Sequence, residues 1–498
     1  MTESAQTGTE SAQTGTESGA IGDSTGLDSA ESGGPDTPYV PEFELSDCRY
    51  PLPPEAGVSC GLLTVPEDRD DPEGRDIRLH VSIFESNSPQ PQADPVFILN
   101  GGPGASSLPV FALLLSPVGD LLREHRQLVY VDQRGTNWSE PALYCPEPLQ
   151  IDASAGYAEY IAATAESMHA CYQSLSAGDA DLSSYDTLEN AADLEDLRIA
   201  LGYDRINLLG ASYGTRLAMA YMREYPDAIR SVLLDSVLPP NVNPFHEGTA
   251  SVRSALDALF AAYPEAEAQF DQVTAALREQ AVVVTVGDEG GRHEIAVDDL
   301  VFVNFVRNAV TQSPPDPGLA NAIAAATAGD LLLPAQAWLE TLAQDLSGGP
   351  GSPDPANGMY ASVFCAEDGS RTTVAEAVAL DAEYPEANPS VRDWAVGYQI
   401  DNLLAPCEYW DVEPIDAPTY YDPLVSDLPT LILAGQLDAQ TPPYFATAAS
   451  EGLGQSATFE LPTGHVTLAV PCGAGLAAAF LDDPQAVPES DCATLVGS

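Results

Sequence analysis

The chain has 498 residues, 44% of them hydrophobic and 19% charged, and its 75 acidic against 18 basic residues leave a formal net charge of −57. Every basic residue is an arginine; there is no lysine. So acidic a chain has no basic patch to displace counterions from phosphate, which excludes nucleic acid as a partner and disfavours anionic membrane surfaces, and no run approaches the ~20 apolar residues of a transmembrane helix.

Residues 1–38 are of low complexity: TESAQTG occurs twice in tandem, TESGAIG follows, and no aromatic residue precedes Tyr39. Such a segment cannot offset its ordering entropy and is expected to be a disordered, acidic spacer without chemistry of its own. Acids continue along the whole chain, so the repulsion belongs to the body as well as to the tail. At about 1 M salt the screening length falls to roughly 3 Å, and the composition predicts a protein adapted to saline surroundings.

From Cys60 onward strands and helices alternate. Cys60–Asp68 and Asp76–Ser86 predict an antiparallel pair around a turn at Asp70–Gly74. Pro95–Asn100, a continuous apolar run that ends in Gly-Gly-Pro-Gly, and Gln127–Gly135 read as buried parallel strands. A helix with a Leu/Ala stripe runs from Thr187 to Leu201, followed by the strand Arg205–Gly210 and the helix Thr215–Tyr225. Ser231–Val237, Thr430–Gly435 and Ala457–Pro462 are further strands, and a helix near Ala474–Leu481 closes the chain. Between them, residues 239–423 are Ala- and Leu-rich at helical spacing, interrupted by the Gly/Pro segment Gly348–Pro355. The pattern predicts an α/β fold with a mostly parallel central sheet, built from 39–238 and 424–498, and a mainly helical cap inserted at 239–423.

The strongest local signal is Gly210-Ala211-Ser212-Tyr213-Gly214, set between a strand and a helix. In that position Gly-x-Ser-x-Gly makes a sharp turn that lifts the serine hydroxyl clear of the sheet, with a positive helix end behind it. A serine nucleophile needs a base, and the base needs an orienting carboxylate. Among six histidines, His465 stands just beyond the last strand, in Leu-Pro-Thr-Gly-His. His80 alternates within a strand, while His125, His169, His246 and His293 lie in loop-like or helical contexts, and His293-Glu294 lacks the second histidine of a zinc-protease motif. The order Ser…Asp…His asks for an acid between Ser212 and His465, which Asp438 supplies after the strand Thr430–Gly435. Asp235, at the end of Ser-Val-Leu-Leu-Asp, is the competitor, expected instead to anchor the loop into the cap. The oxyanion would be held by the backbone amides of Gly102, in Asn100-Gly-Gly-Pro-Gly104, and of Tyr213. This chemistry requires neither a metal nor an organic cofactor.

Asn-Gly-Gly-Pro-Gly, Asp132-Gln-Arg-Gly135, Gly-Ala-Ser-Tyr-Gly, Gln-Leu-Asp438 and Gly-His465 occur in the order seen in α/β-hydrolase exopeptidases, and the chain resembles their prolyl and tripeptidyl aminopeptidase group. The segments around Cys60, Cys365 and Cys407 look like the secreted tripeptidyl branch, and the resemblance runs from about Cys48 to Cys492. It departs at Asn100, where prolyl aminopeptidases usually carry histidine, and at Asn137, where a glycine often follows the Asp-Gln-Arg-Gly motif. The resemblance implies a serine peptidase that releases amino acids or short peptides from the N-terminus of a peptide substrate. An esterase acting on small acyl esters with the same triad, or an inactive binding protein on the same scaffold, are the alternatives. An aminopeptidase must hold a protonated amine, and Glu367 and Asp368, where the chain returns from the cap, are the candidate carboxylates, with plain surface charge the alternative in so acidic a chain.

The eight cysteines include no Cys-x-x-Cys pair, which leaves zinc ribbons and thioredoxin-like sites unsupported. Paired as sequence neighbours they would join Cys48–Cys60, Cys145–Cys171, Cys365–Cys407 and Cys472–Cys492, one connectivity among many; the alternative is eight buried thiols. Disulfides imply an oxidising compartment and export, so the absence of a basic and apolar leader implies that a signal was removed or the start trimmed.

Overall fold

The apolar runs of the sequence become the centre of a ten-stranded sheet. The computed structural model describes residues 40–498 apart from 54–55, 147–148, 153, 289–290, 313–315, 344–348, 351–352, 493 and 497–498. The segment 1–38, expected as a disordered tail, lies outside the described residues. In chain order the strands are β1 (Glu42–Ser46), β2 (Val58–Pro66), β3 (Asp76–Phe84), β4 (Val96–Leu99), β5 (Leu128–Val131), β6 (Ile206–Ala211) and β7 (Ile229–Asp235). They continue with β8 (Val282–Asp288), β9 (Gly291–Val297), β10 (Thr430–Gly435), β11 (Ser456–Leu461) and β12 (Thr494–Val496).

Across the sheet the order is β1-β2-β3-β5-β4-β6-β7-β10-β11-β12. Neighbours from β5 to β11 run parallel. β1 to β3 add an antiparallel margin on one side and β12 on the other. Every residue of β4, β5 and β10 is buried, which is why these strands read as unbroken apolar runs and not as alternation. One face is covered by the helices Thr187–Ala200 and Tyr213–Glu224 through Leu194, Leu197, Leu217 and Ala218. The other is covered by Leu108–Leu114, Pro117–Leu122 and Pro471–Asp482 through Phe111, Leu122, Leu476 and Phe480.

Between β7 and β10 the chain builds a second core from Val252, Phe270, Phe302, Trp338 and Trp394. That core also takes in Tyr157 and Ile161 of the helix Tyr157–Leu175, and Leu437 and Ala439 on either side of Asp438. The helical spacing therefore meets its counterpart on the sheet next to a candidate site residue. Helices predominate here, but β8 and β9 form an antiparallel hairpin that the helical reading passed over. Its signal was the β-branched run Val282-Val283-Val284-Thr285-Val286 ahead of the sequence Asp-Glu-Gly-Gly. His293 accordingly lies on β9 and not in a loop or helix. No single helix among the described residues is long and apolar enough to cross a membrane; the apolar helices Pro317–Thr327 and Leu332–Leu342 are bent against each other by 109°.

All four expected cysteine pairs are bonded, with Cα–Cα distances of 5.0 Å for Cys48–Cys60, 4.8 Å for Cys145–Cys171, 5.1 Å for Cys365–Cys407 and 6.1 Å for Cys472–Cys492. Each separation lies in the range an unstrained bridge spans.

Candidate active site

Ser212 follows β6 directly and precedes the helix Tyr213–Glu224 at φ 56° and ψ −127°, a conformation that non-glycine residues rarely adopt. Such strain persists only where the surroundings over-determine it. Here the Ser212 amide donates to the Asp235 carbonyl at 2.9 Å, and its own carbonyl accepts from the amide of Thr215 at 2.9 Å. The flanking glycines are needed for close approach. A Cβ on Gly214 would stand 2.0 Å from the Leu99 carbonyl oxygen, and one on Gly210 would stand 2.4 Å from that of Gly214. The tight turn brings the start of the helix under the serine, where the Tyr213 amide has no intrahelical acceptor.

Asp438 and His465 lie beyond the carboxyl ends of β10 and β11, neighbouring strands on the far side of β7 from β6. His465 Nδ1 lies 2.7 Å from Asp438 Oδ2. The carboxylate is fully buried, while the imidazole keeps 13% exposure. Asp438 is held in place by the amides of Gln440 at 2.8 Å and Thr441 at 3.0 Å, and by the Thr441 hydroxyl at 2.8 Å. Burial pushes its pKa up, but the His465 charge and these donors more than compensate, and the net shift is downward. For His465 burial works against the cation, yet the charge and hydrogen bond of Asp438 outweigh it and raise the imidazole pKa.

The loop that carries His465 has every amide from 465 to 468 accounted for. The His465 amide donates to the Thr311 carbonyl at 2.6 Å and that of Val466 to Ser236 Oγ at 2.9 Å. The Thr467 and Leu468 amides donate to the two oxygens of Asp235, each at 2.9 Å, and the Thr467 hydroxyl adds a third bond at 2.8 Å. This set of bonds holds Val466 at φ 62°, an outlier for a β-branched side chain. Asp235 was expected to anchor the loop into the cap; it anchors the histidine loop instead, because its strand end lies between those of β6 and β10. Thr311, Thr441 and Thr467 were not singled out in the sequence. The Asp-x-x-Thr and His-x-Thr spacings were there to be read for Thr441 and Thr467, whereas nothing local marks Thr311, which comes from the helix Asp299–Gln312.

The Gly-rich loop after β4 passes directly over the serine. A Cβ on Gly101 would meet Ser212 Cβ at 2.9 Å and its Oγ at 3.4 Å, and the next residue, Gly102, is exposed at φ 108°. Asn100 organises the loop: Oδ1 accepts from the Gly101 amide at 2.9 Å, and Nδ2 donates to the Ala105 carbonyl at 3.1 Å. Asn137 stands at φ 46°, which explains why glycine suits that position and why asparagine replaces it without clash. Its side chain accepts from the Ser107 amide at 3.1 Å and so braces the same loop. Beneath lies a buried cluster in which Asp132 accepts from Tyr50 at 2.7 Å and from Ser107 at 2.7 Å and faces His80 Nδ1 at 3.1 Å.

Glu367 and Asp368 are not presented to a substrate amine. Both are fully buried and share the guanidinium of Arg216, itself fully buried on the helix that starts at Tyr213. Glu367 also accepts from the Thr187 amide at 3.1 Å, the Thr187 hydroxyl, and the Tyr420 hydroxyl at 2.8 Å. Asp368 Oδ1 has no hydrogen-bond partner among the described residues, but it too is buried. These acids join the end of the helix Asn357–Ala366 to the helix below it, a role that a sequence crowded with carboxylates does not reveal.

A family model described as alpha/beta hydrolase fold matches residues 94–468. The chain is 31% identical over 229 residues to the serine protease Hip1 of Mycobacterium tuberculosis, a match that covers 43% of each chain, so it spans less than half the length of that relative. It is 26% identical over 431 residues to the tripeptidyl aminopeptidase of Streptomyces coelicolor, covering 80% of this chain and 74% of the other. The Carboxylesterase B of Mycobacterium tuberculosis is 30% identical over 232 residues, or 44% of each chain. The solved proline iminopeptidase of Mycobacterium smegmatis aligns with 85% of this chain and 98% of that one, at 16% identity and a TM-score of 0.41. With a match that spans the sheet from β4 to the histidine loop, the chain belongs to the alpha/beta hydrolase fold family.

Proposed function

We propose that the protein is a serine peptidase that releases amino acids or short peptides from the N-terminus of peptide substrates through an acyl-enzyme. The observation that carries the reading is the 2.7 Å Asp438–His465 pair at the strand ends beside the strained Ser212 turn. Ser212 Oγ attacks the scissile carbonyl while His465 Nε2 takes its proton, and Asp438 holds the proton on Nδ1. The amides of Gly102 and Tyr213 receive the oxyanion. As the C–N bond breaks, His465 returns the proton to the leaving amine; water then adds by the reverse steps and frees the acyl fragment. The insertion 239–423 acts as the cap of this site, a role supported by the Thr311 carbonyl on the His465 amide. Four disulfides support maturation in an oxidising compartment and export, and the charge of −57 supports saline surroundings.

A fluorophosphonate should label Ser212 and leave the Ser212→Ala variant unlabelled, and peptides with a free amine should be cleaved in preference to N-acetylated ones. Labelling with equal cleavage of acetylated peptides, or with turnover confined to small acyl esters, turns the reading to a carboxylesterase. No labelling of correctly folded protein turns it to a binding protein.

A further inference from the structure

Four arginines are buried among the described residues: Arg126, Arg134, Arg216 and Arg307. Three of them meet carboxylates: Arg126 reaches Asp94 at 2.8 Å, Arg134 reaches Asp193 at 2.8 Å, and Arg216 binds Glu367 and Asp368. Arg307 meets none among the described residues. Among those residues its side chain donates one hydrogen bond, from Nη1 to the amide oxygen of Asn308 at 3.0 Å, and Nε finds no partner although the residue is only 7% exposed. Instead the guanidinium lies 5.5 Å from the ring centres of both Trp394 and Tyr398, which stack on one another at 4.9 Å. A protein with 75 acids and 18 arginines has carboxylates to spare, so a buried cation left without one is unusual.

Its location ties it to the candidate site. One helical turn on, the Thr311 hydroxyl donates to the Arg307 carbonyl at 2.7 Å, and the Thr311 carbonyl receives the His465 amide. The positive charge of Arg307 acts on the His465 imidazole against the pull of Asp438. Tyr398 belongs to the π-helical turn Val396–Leu404, an irregularity common at functional positions. A guanidinium set beside aromatic rings, with Nε unpartnered, has N–H groups left to grip a carboxylate.

We propose that Arg307 receives a carboxylate of the substrate. This rests on the peptidase reading above and names its substrate class: peptides whose C-terminal carboxylate, or an aspartate or glutamate side chain, falls within reach of Arg307 when the scissile carbonyl is at Ser212. Trp394 and Tyr398 flank the guanidinium.

The test compares three peptides of equal length: tetra-alanine with a free C-terminus, its C-terminal amide, and an amide in which the last alanine is replaced by glutamate. Wild-type enzyme should show a higher kcat/KM on at least one carboxylate peptide than on the neutral amide. Arg307→Gln should cut that ratio roughly tenfold to hundredfold, the scale of a charge-assisted hydrogen bond, and Arg307→Lys should keep part of it. Loss confined to the free-terminus peptide identifies the C-terminal carboxylate; loss confined to the glutamate peptide identifies the side chain. A wild-type preference for the amide over both, or a ratio unchanged in Arg307→Gln, overturns the proposal, and the first of these needs no variant to fold. Protein that is labelled at Ser212 but cleaves none of the three peptides defeats the peptidase reading itself.

Discussion

The Ser212 amide donates to the carbonyl of Asp235, and the carboxylate of that same aspartate accepts from the Thr467 and Leu468 amides. One buried residue therefore fixes both the serine turn and the histidine loop, although it stands in neither. Burial pushes the Asp235 pKa up, the amides of Leu468 and Thr467 work the other way, and burial prevails.

Asp438→Asn and Asp235→Asn should separate these two acids. Replacing Asp438 removes the partner of Nδ1 and should lower kcat by about ten-thousand-fold with the fold retained. Replacing Asp235 turns an acceptor into an amide facing N–H donors, and should cost about 1–3 kcal/mol of stability with a smaller loss of kcat. Urea melts and steady-state kinetics on both variants check this; the reverse ranking of kcat would move the orienting role to Asp235.

The pH dependence follows from the raised His465 and lowered Asp438 pKa values. Catalysis needs neutral His465, so the acid limb of kcat/KM should lie above the ordinary histidine value of about 6.5. For stability, the imidazolium contributes fully below its unfolded value and loses that contribution as pH rises through the folded one. The Asp438 carboxylate contributes above its unfolded value and loses the contribution as pH falls through its lowered one. Titration of His465 by NMR should show its pKa fall in Asp438→Asn.

Two acids and one arginine leave the Glu367–Asp368–Arg216 cluster with a surplus negative charge, and burial pushes Glu367 up to about 7 against the pull of Arg216. A carboxyl raised in the folded state stabilises below its unfolded value, and the gain is lost as pH rises through the folded one. Stability should therefore fall between about pH 4.5 and pH 7 through this group, by at most about 1.4 kcal/mol per pH unit. Glu367→Gln should flatten that slope in melts run across the range; an unchanged slope would show that the proton is held elsewhere.

The bridge Cys365–Cys407 closes a loop of sequence separation 42 at the end of the helix Asn357–Ala366. Replacing both cysteines with alanine should cost about 4 kcal/mol by the chain-entropy estimate. Denaturant melts of the non-reduced variant measure it directly.

Screening should govern the stability of so acidic a body. The melting temperature should climb from near-zero to molar sodium chloride, with peptide cleavage retained at about 1 M, where the screening length is roughly 3 Å. A flat melting temperature across that range would defeat the saline reading.

The sequence by itself determined the parallel strands, the turn around Ser212 and the placement of Asp438 and His465 after strands, because each rests on local rules: apolar runs buried on both faces, glycines at close approaches, chain order. It marked Asn137 as a departure from the family pattern, but only its φ of 46° explains why asparagine serves there. The hairpin β8–β9 was missed because its strands lie in a region of helical composition, where local propensity and context conflict. Only the tertiary structure decided what Asp235, Thr311, Arg307, Glu367 and Asp368 touch. Their partners lie far along the chain: Asp235 and Thr467 are 232 residues apart, Arg216 and Asp368 are 152 apart. In a chain with 75 acids no local pattern distinguishes the carboxylate that will be buried beside an arginine from those left in solvent. That choice is made when the segment between β7 and β10 packs against the sheet and Glu367 and Asp368 meet Arg216 there.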